Sequence, residues 1–248
     1  PKLLSKKIVA VVIIMFIFSI IILGVGSKLV FQKICERRET AWPDLGTADD
    51  EQYEWLTEAY KIKQKDENTQ PNYKVITHKE VRNMIDALGT ALIDIGLKDK
   101  RIAIIGENRY EWEIAYLSVV CGTGIVVPLD KALPENELEN LIERSEIEAI
   151  FYSSKYEEVL EKIKRSPENK LKHLISMDNL ENTDGIYSMQ ELIKQGKELI
   201  KQGKKLIKQG NKEFIDATIN ADEMMIMLFT SGTTSNSKVV ALSHKNIS

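Results

Sequence analysis

Blocks of apolar residues alternate with mixed polar and apolar stretches along most of this chain. Short, uninterrupted apolar runs predict buried strands, and these runs lie at 101–106, 125–130, 149–152 and 173–176. Between them apolar residues recur every three or four positions, which predicts amphipathic helices over 110–120, from 134 onward and over 156–163. Apolar strands separated by amphipathic helices are typical of a mostly parallel sheet with helices on both faces. The sequence therefore predicts an α/β fold.

The first helix of this pattern has its own start and stop signals. Thr77 followed three residues later by Glu80 is a capping box, in which each side chain bonds the other residue's backbone amide. Apolar residues at helical spacing follow, and Gly96 is well placed to end the helix.

The N-terminus has a different pattern, because residues 8–26 carry no charge at all. At about 1.5 Å per residue this run gives roughly 28 Å of helix, close to the thickness of a bilayer's hydrocarbon core. We therefore predict a basic flank over 1–7, a single transmembrane helix over 8–27 and a juxtamembrane linker over 28–73. A cleaved signal peptide is the alternative, since residues 24–26 offer a small-x-small cleavage site.

A seven-residue repeat occupies residues 192–212, where Leu-Ile-Lys-Gln-Gly recurs from Leu192, Leu199 and Leu206. This period keeps the Leu-Ile pairs on one stripe of a helix and sets lysines on the other side. A solvated surface helix is one interpretation, and a basic helix lying on a lipid surface is the other. The glycines argue against a strong isolated helix, since each costs about 1 kcal/mol relative to alanine.

Composition narrows the choice of partners and cofactors. Lysine and arginine number 34 against 37 aspartate and glutamate residues, which gives no electrostatic reason to expect a nucleic-acid partner. The two cysteines and three histidines are scattered, so neither a disulfide framework nor a metal cluster built from them is predicted.

The segment with the clearest chemistry is 225–240, where an apolar run leads into a loop rich in hydroxyls and ends at a lysine. Glycine lets the backbone approach an oxyanion, hydroxyls donate hydrogen bonds, and lysine supplies a positive charge. The candidate phosphate-binding residues are Thr230, Ser231, Gly232, Thr233, Thr234 and Lys238. A polar hairpin between two strands is the alternative interpretation of the same residues.

At these residues the chain resembles the adenylate-forming (AMP-binding) synthetase superfamily, whose phosphate loop has the form T-S-G-T-T-G-x-P-K-G. The segment 122–130 is similar to the family's G-x-x-x-V-P-L-D stretch, and 107–112 (Glu-Asn-Arg-Tyr-Glu-Trp) resembles a turn of its long-chain acyl-CoA synthetases. The similarity covers about 74–248. Ser235, Ser237 and Val239 stand where the family usually has glycine, proline and glycine, which restricts the loop's backbone.

The resemblance implies a long-chain fatty acid–CoA ligase that uses ATP, Mg²⁺ and coenzyme A through an acyl-adenylate. In the family, the phosphate loop holds the β- and γ-phosphates and stabilises departing pyrophosphate. The family's later elements, including its catalytic lysine and Mg²⁺-associated glutamate, would lie beyond Ser248. We therefore expect the N-terminal part of such a ligase, inactive by itself and marginally stable.

The predicted anchor and the need for ATP together predict a single-pass membrane protein with its α/β domain facing the cytoplasm. Membrane lipid would then be a partner through the N-terminal helix, and a fatty acid would be the substrate. A truncated, non-catalytic module that binds a nucleotide or a partner protein is the alternative function, and a nucleotide-binding α/β domain of another family is a third.

Overall fold

The computed structural model describes residues 58–63, 73–179, 181–183, 185–205, 213–230 and 238–246. The chain divides into two compact units, 1–81 and 82–248. The basic flank and the transmembrane helix predicted for 8–27 lie outside the described residues and stay predictions. Within the described ranges, every helix is too short or too polar to cross a bilayer.

The first unit contains an antiparallel hairpin of β1 (Glu58–Lys63) and β2 (Tyr73–Thr77). Strand β1 falls inside the stretch that the sequence assigned to a linker, so that stretch includes regular structure. The capping box is confirmed just after β2. The Thr77 amide donates to Glu80 Oε2 at 2.8 Å, and the Glu80 amide donates to Thr77 Oγ1 at 3.2 Å.

Strands and helices alternate through the rest of the chain, as the sequence predicts. The strands are β3 (Lys100–Ile105), β4 (Gly124–Pro128), β5 (Ala149–Tyr152), β6 (His173–Ser176), β7 (Ile186–Ser188), β8 (Met224–Thr230) and β9 (Lys238–Ser243). The helices are α1 (His78–Asp94), α2 (Tyr110–Val120), α3 (Glu135–Arg144), α4 (Glu157–Lys164) and α5 (Met189–Lys205). Gly96 follows α1 with a φ of 85°, a left-handed conformation that suits glycine and ends the helix as predicted.

The strands of the second unit that the structure describes form one sheet in the order β7-β6-β5-β3-β4-β8-β9. All neighbours are parallel except β8 and β9, which are antiparallel. The chain leaves β3 toward β4 but leaves β5 in the opposite direction, toward β6. Because such crossovers are right-handed, α2 and α4 lie on opposite faces of the sheet. The predicted α/β fold with helices on both faces is confirmed.

Each face of the sheet has its own packed layer. On one face, inward side chains such as Ala103, Ile105 and Ile150 pack with Leu138 of α3 and Leu160 of α4. Strand residues that alternate with them, including Ile102 and Ile104, are fully buried as well. This two-sided burial explains why the central strands carry uninterrupted apolar runs, such as residues 102–105.

The opposite layer contains α1, α2 and α5. The Ser118 hydroxyl of α2 contacts the Ile85 carbonyl of α1 at 3.4 Å. Helix α5 packs so closely on α1 that a Cβ added at Gly196 would lie 1.8 Å from the Ala87 carbonyl oxygen. The first copy of the repeat is therefore docked on α1, and its Leu192 is buried rather than available to lipid. The copy that begins at Leu206 lies outside the described residues.

Candidate functional site

The predicted phosphate loop is the connection of a β8–β9 hairpin at the carboxyl edge of the parallel strands. Strand β8 runs parallel to β4, with Val126 opposite Ile226, and then turns back as β9, with Thr230 opposite Lys238. In open α/β sheets, ligands bind outside the carboxyl ends of the strands. The two alternatives from the sequence are thus compatible, since the two ends of the hairpin connection, Thr230 and Lys238, lie at this edge of the sheet.

The structure fixes the two ends of this loop. The backbones of Thr230 and Lys238 end β8 and begin β9, and the Lys238 side chain is exposed. Val239, which follows, is 48% exposed on the last described strand of the sheet. Of the other predicted phosphate-binding residues, Ser231, Gly232, Thr233 and Thr234 lie outside the described residues, as do Ser235 and Ser237. Their roles stay predictions.

Two strands along the same edge, Arg109 joins the connections that follow β3 and β6. Its guanidinium forms a two-pronged ion pair with Glu111, with Nε and Nη2 donating to the two carboxylate oxygens at 2.7 and 2.9 Å. Its Nη1 donates to Asp178, which follows β6. Both pairings raise the pKa of Arg109, the one with Glu111 more strongly, so the guanidinium stays charged.

Asp178 also holds the connection that follows β5. Its Oδ2 accepts a hydrogen bond of 2.7 Å from the Ser154 amide. Partial burial raises the pKa of the Asp178 carboxyl, but the hydrogen bonds from Arg109 and Ser154 outweigh burial, and the net pKa is lowered. One carboxylate therefore connects the residues that follow β3, β5 and β6.

A second ion pair links two of these connections, between Glu107 after β3 and Lys155 after β5. The hydrogen bond from Lys155 is the largest contribution that lowers the pKa of Glu107 from 4.5 to about 2. Strands β3 and β5 are neighbours from which the chain leaves in opposite directions along the sheet, and open α/β sheets form a ligand crevice at such a point. Here that crevice is bridged by the protein's own charged side chains.

The sequence singled out Glu107 and Arg109 only as part of a motif and did not identify Lys155 or Asp178. A usable signal was present, because Lys155 and Asp178 each come shortly after a predicted strand at 149–152 or 173–176. Carboxyl ends of parallel strands meet at one edge, so polar residues just after them are neighbours. Pairing a specific acid with a specific base required the structure.

The motif at 122–130 has a structural role in the described geometry. Gly122 has a φ of 139°, and its carbonyl accepts a 2.8 Å hydrogen bond from Lys98 Nζ. Gly124 lies so close to β3 that an added Cβ would be 2.2 Å from the Lys100 carbonyl oxygen. Asp130 Oδ1 accepts the Ala132 amide at 2.9 Å and so stabilises the turn that leads toward α3.

The described part of this edge offers charges for binding an anion but no ready metal site. Throughout the described ranges, no group of three or more histidine, cysteine, aspartate or glutamate side chains is arranged to hold a metal ion. The arrangement is therefore that of a hydroxyl- and lysine-bearing hairpin beside a rigid ion-paired crevice.

Comparison with protein families and known proteins agrees with this geometry. The sequence model of the family described as "AMP-binding enzyme" matches residues 57–248, which includes β1 and both motif segments. Fatty acyl-CoA synthetase A of Dictyostelium discoideum is 28% identical over 246 residues, covering 90% of this chain and 34% of that protein. Long-chain-fatty-acid–CoA ligase 1 of Cavia porcellus is 27% identical over 184 residues, covering 71% of this chain and 25% of that protein.

Solved structures show the same fold at lower sequence similarity. The anthranilate CoA ligase AuaEII in complex with anthranoyl-AMP superimposes with a TM-score of 0.57 at 19% identity, covering 69% of this chain and 30% of that one. The N-terminal domain of FACL13 from Mycobacterium tuberculosis gives a TM-score of 0.53 at 18% identity, with 69% and 38% covered. At such identities the likeness concerns the fold alone. The chain spans about a third or less of the two curated relatives named above.

Proposed function

This chain belongs to the AMP-binding enzyme family, and from that premise we propose that it is the N-terminal part of an ATP-dependent long-chain fatty acid–CoA ligase. The names of the curated relatives support a fatty acid as the substrate. Because the chain spans only a third or less of those proteins, the complete reaction belongs to a longer protein, and the role proposed for these 248 residues is nucleotide binding without turnover.

The observation that carries the proposal is the position of the β8–β9 hairpin. Its connection begins at Thr230 and ends at Lys238, directly opposite each other at the carboxyl edge of the parallel strands. An exposed ammonium group at the end of a hydroxyl- and glycine-containing connection suits a polyphosphate. The residues present therefore fit the phosphates of ATP, and coenzyme A would supply the thiol for the second step.

The chemistry assigns this loop an electrostatic role. A fatty carboxylate oxygen forms a bond to the α-phosphorus of ATP while the bond from that phosphorus to the bridging oxygen breaks, which gives acyl-adenylate and pyrophosphate. Negative charge accumulates on the leaving pyrophosphate, and Lys238 would stabilise it with help from the hydroxyls of Thr230 and its neighbours. Preorganised charge of this kind lowers the barrier because little reorganisation is needed during the reaction.

Membrane attachment is the second part of the proposal. Residues 8–27 would form a single transmembrane helix, with the α/β domain on the cytoplasmic side, where ATP is available. Attachment suits a substrate that partitions into lipid. Protease protection tests the orientation in sealed vesicles whose cytoplasmic face points outward. Cleavage of the α/β domain only after detergent is added would contradict a cytoplasmic domain.

Nucleotide binding is tested on the full chain in detergent by titrating a fluorescent ATP analogue. We expect Lys238→Met to weaken binding about ten-fold or more, as for loss of a hydrogen bond to a charged group. Lys245→Met is the matched control, because Lys245 is also exposed but pairs with Asp222 at 3.3 Å. Equal affinities for the two variants would overturn the assignment of Lys238.

The substrate class is tested in the complete protein by fatty-acid-dependent exchange of labelled pyrophosphate into ATP. We expect exchange with palmitate or oleate that Lys238→Met strongly reduces. Exchange that requires acetate or an aromatic acid instead would contradict the long-chain assignment and leave the nucleotide-binding role in place.

A further inference from the structure

The first copy of the seven-residue repeat makes a specific contact with α1. Leu192 is 1% exposed. Three residues along, Gln195 Nε2 donates to Asp94 Oδ2 at 3.0 Å. One residue further, Gly196 lies against the backbone of Ala87, with space for no side chain. The glutamine and the glycine therefore contact α1 directly, and the leucine three residues before the glutamine is buried.

The next seven residues of α5 present the same set. Residues 191–197 and 198–204 have the identical sequence Glu-Leu-Ile-Lys-Gln-Gly-Lys, so Leu199, Gln202 and Gly203 repeat the docking residues. Seven residues advance a helix by about 10.5 Å and rotate it by only about 20° from a full number of turns. A shift by one repeat thus returns the same side chains to nearly the same stripe.

We propose that α5 has two docking registers on α1, and that the second copy of the repeat replaces the first in a minor state of the protein. The inference goes beyond the proposed function, and it does not depend on that function. It rests on the identity of the two copies and on the contacts that the first copy makes.

The first register is favoured by residues that the second register lacks. Met189 is buried three residues before Leu192, whereas the equivalent position before Leu199 is Gly196. Ser188 Oγ also accepts the Glu191 amide at 3.3 Å at the start of α5. Losing one buried methionine and one N-terminal cap lowers the population of the second register but leaves the main docking contacts intact.

A change from the first register to the second would transfer seven residues from the chain segment that follows the docked part of α5 to the segment that precedes it. In the second register, the segment between β7 and the docked part of α5 is seven residues longer, and the segment leading from it to β8 is seven residues shorter. Since β8 leads directly into the β8–β9 hairpin, the register of α5 sets the length of chain available just before that strand.

Alanine substitutions at the repeated glycines test the proposal in the full chain. All variants carry Gly210→Ala, so that the third copy of the repeat cannot substitute. Gly196→Ala blocks the first register, because its Cβ would meet backbone atoms that cannot rotate away. Gly203→Ala is expected to block the second register in the same way, and alanine is intrinsically favoured over glycine within a helix.

Thermal unfolding followed by circular dichroism gives the readout. We expect Gly196→Ala to lower the midpoint by less than about 5 °C, Gly203→Ala not to lower it, and both together to lower it by more than about 10 °C. If the change in midpoint of the combined variant equals the sum of the changes for Gly196→Ala and Gly203→Ala alone, the proposal is overturned. Failure of the Gly196→Ala variant to fold would also overturn it, since the second register should rescue that protein.

Gly89→Ala is the matched control in α1. Its Cβ would lie 2.2 Å from the Phe214 ring, and no repeat offers a replacement contact. Adding Gly203→Ala to this variant should not lower its midpoint further. If Gly203→Ala lowers the midpoint of the Gly89→Ala variant much further, then Gly203 matters to stability in general. The combined effect of Gly196→Ala and Gly203→Ala could then no longer be taken as evidence for two registers.

Hydrogen exchange gives an independent measurement of the register. In the variant with Gly196→Ala, amides of residues 189–195 should lose at least ten-fold of their protection, while those of 199–202 keep theirs. Unchanged protection over 189–195 would mean that the variant keeps the first register and accommodates the new Cβ by a local shift, and the proposal would then be wrong.

Discussion

Replacing Arg109 by methionine tests whether one guanidinium holds together the residues that follow three neighbouring strands. Arg109 is 29% exposed, Glu111 13% and Asp178 30%, so the group is partly shielded from water. Methionine keeps much of the side-chain length and removes the charge. It leaves two carboxylates near each other without their shared cation, and the less exposed of the two, Glu111, then lacks its two-pronged partner.

The magnitude follows from the number and burial of the bonds that are lost. Hydrogen bonds to charged groups contribute about 1.5–3 kcal/mol each, and solvent screening reduces the contribution of the more exposed Asp178 pair. We expect Arg109→Met to lower the free energy of unfolding by about 2–4 kcal/mol, or the midpoint by roughly 5–15 °C for a domain of this size. Urea unfolding of the full chain, followed by far-UV circular dichroism, measures the free-energy difference.

Arg165 provides the matched control for this experiment. It pairs with Glu161 at 3.3 Å, but the two side chains are 80% and 40% exposed. Arg165→Met should therefore change stability by no more than about 0.5 kcal/mol. The loss of unfolding free energy for Arg109→Lys should lie between those for Arg109→Met and Arg165→Met, because lysine keeps the charge and lacks the planar guanidinium group. If Arg109→Met costs no more than Arg165→Met, the structural role given to this ion pair is refuted.

Three other predictions follow from single contacts. Gly124→Ala should lower the free energy of unfolding, measured in urea, by more than about 3 kcal/mol, because its Cβ would lie 2.2 Å from the Lys100 carbonyl oxygen. Gly96→Ala should lower it by only about 1 kcal/mol, because Gly96 has a φ of 85° but open surroundings. The pKa of Glu107 is lowered from 4.5 to about 2, so its ion pair stabilises the fold fully above pH 4.5 and progressively less toward pH 2. Glu107→Gln should reduce that acid dependence, and an unchanged profile would contradict it. Thr77→Ala should cost about 1 kcal/mol by removing the cap of α1, and a loss below about 0.3 kcal/mol would count against the capping box.

The parts of the fold that the sequence predicts correctly are those determined by local pattern. The last four residues of β3 are all apolar because both of its faces are covered there, and the observed strand differs from the predicted one by a single residue at each end. The capping box depends on two residues three apart, so it too is visible locally. Strand β7 was missed because its three residues, Ile186–Ser188, are too few to show a period.

The ion-paired crevice was beyond sequence reasoning for a different reason. Arg109 and Asp178 are 69 residues apart, and nothing local to either one identifies its partner. The sheet order brings them together, since β3 and β6 are separated only by β5. Gly196 shows the same limit. The sequence counts it as a cost to the helix, whereas the structure shows that it allows close packing on Ala87.

The carboxyl edge of the sheet carries two different features, the ion-paired crevice and the β8–β9 hairpin. Connections after β3, β5 and β6 are joined by Arg109, Asp178 and the Glu107–Lys155 pair, whose opposite charges satisfy one another. A polyphosphate entering that crevice would have to displace carboxylates of its own sign, which is electrostatically unfavourable. The β8–β9 hairpin, which ends at the exposed ammonium of Lys238, presents no such barrier among the described residues. Under the proposed function the crevice would therefore act as a support, and the phosphates would bind two strands further along the edge, at the hairpin.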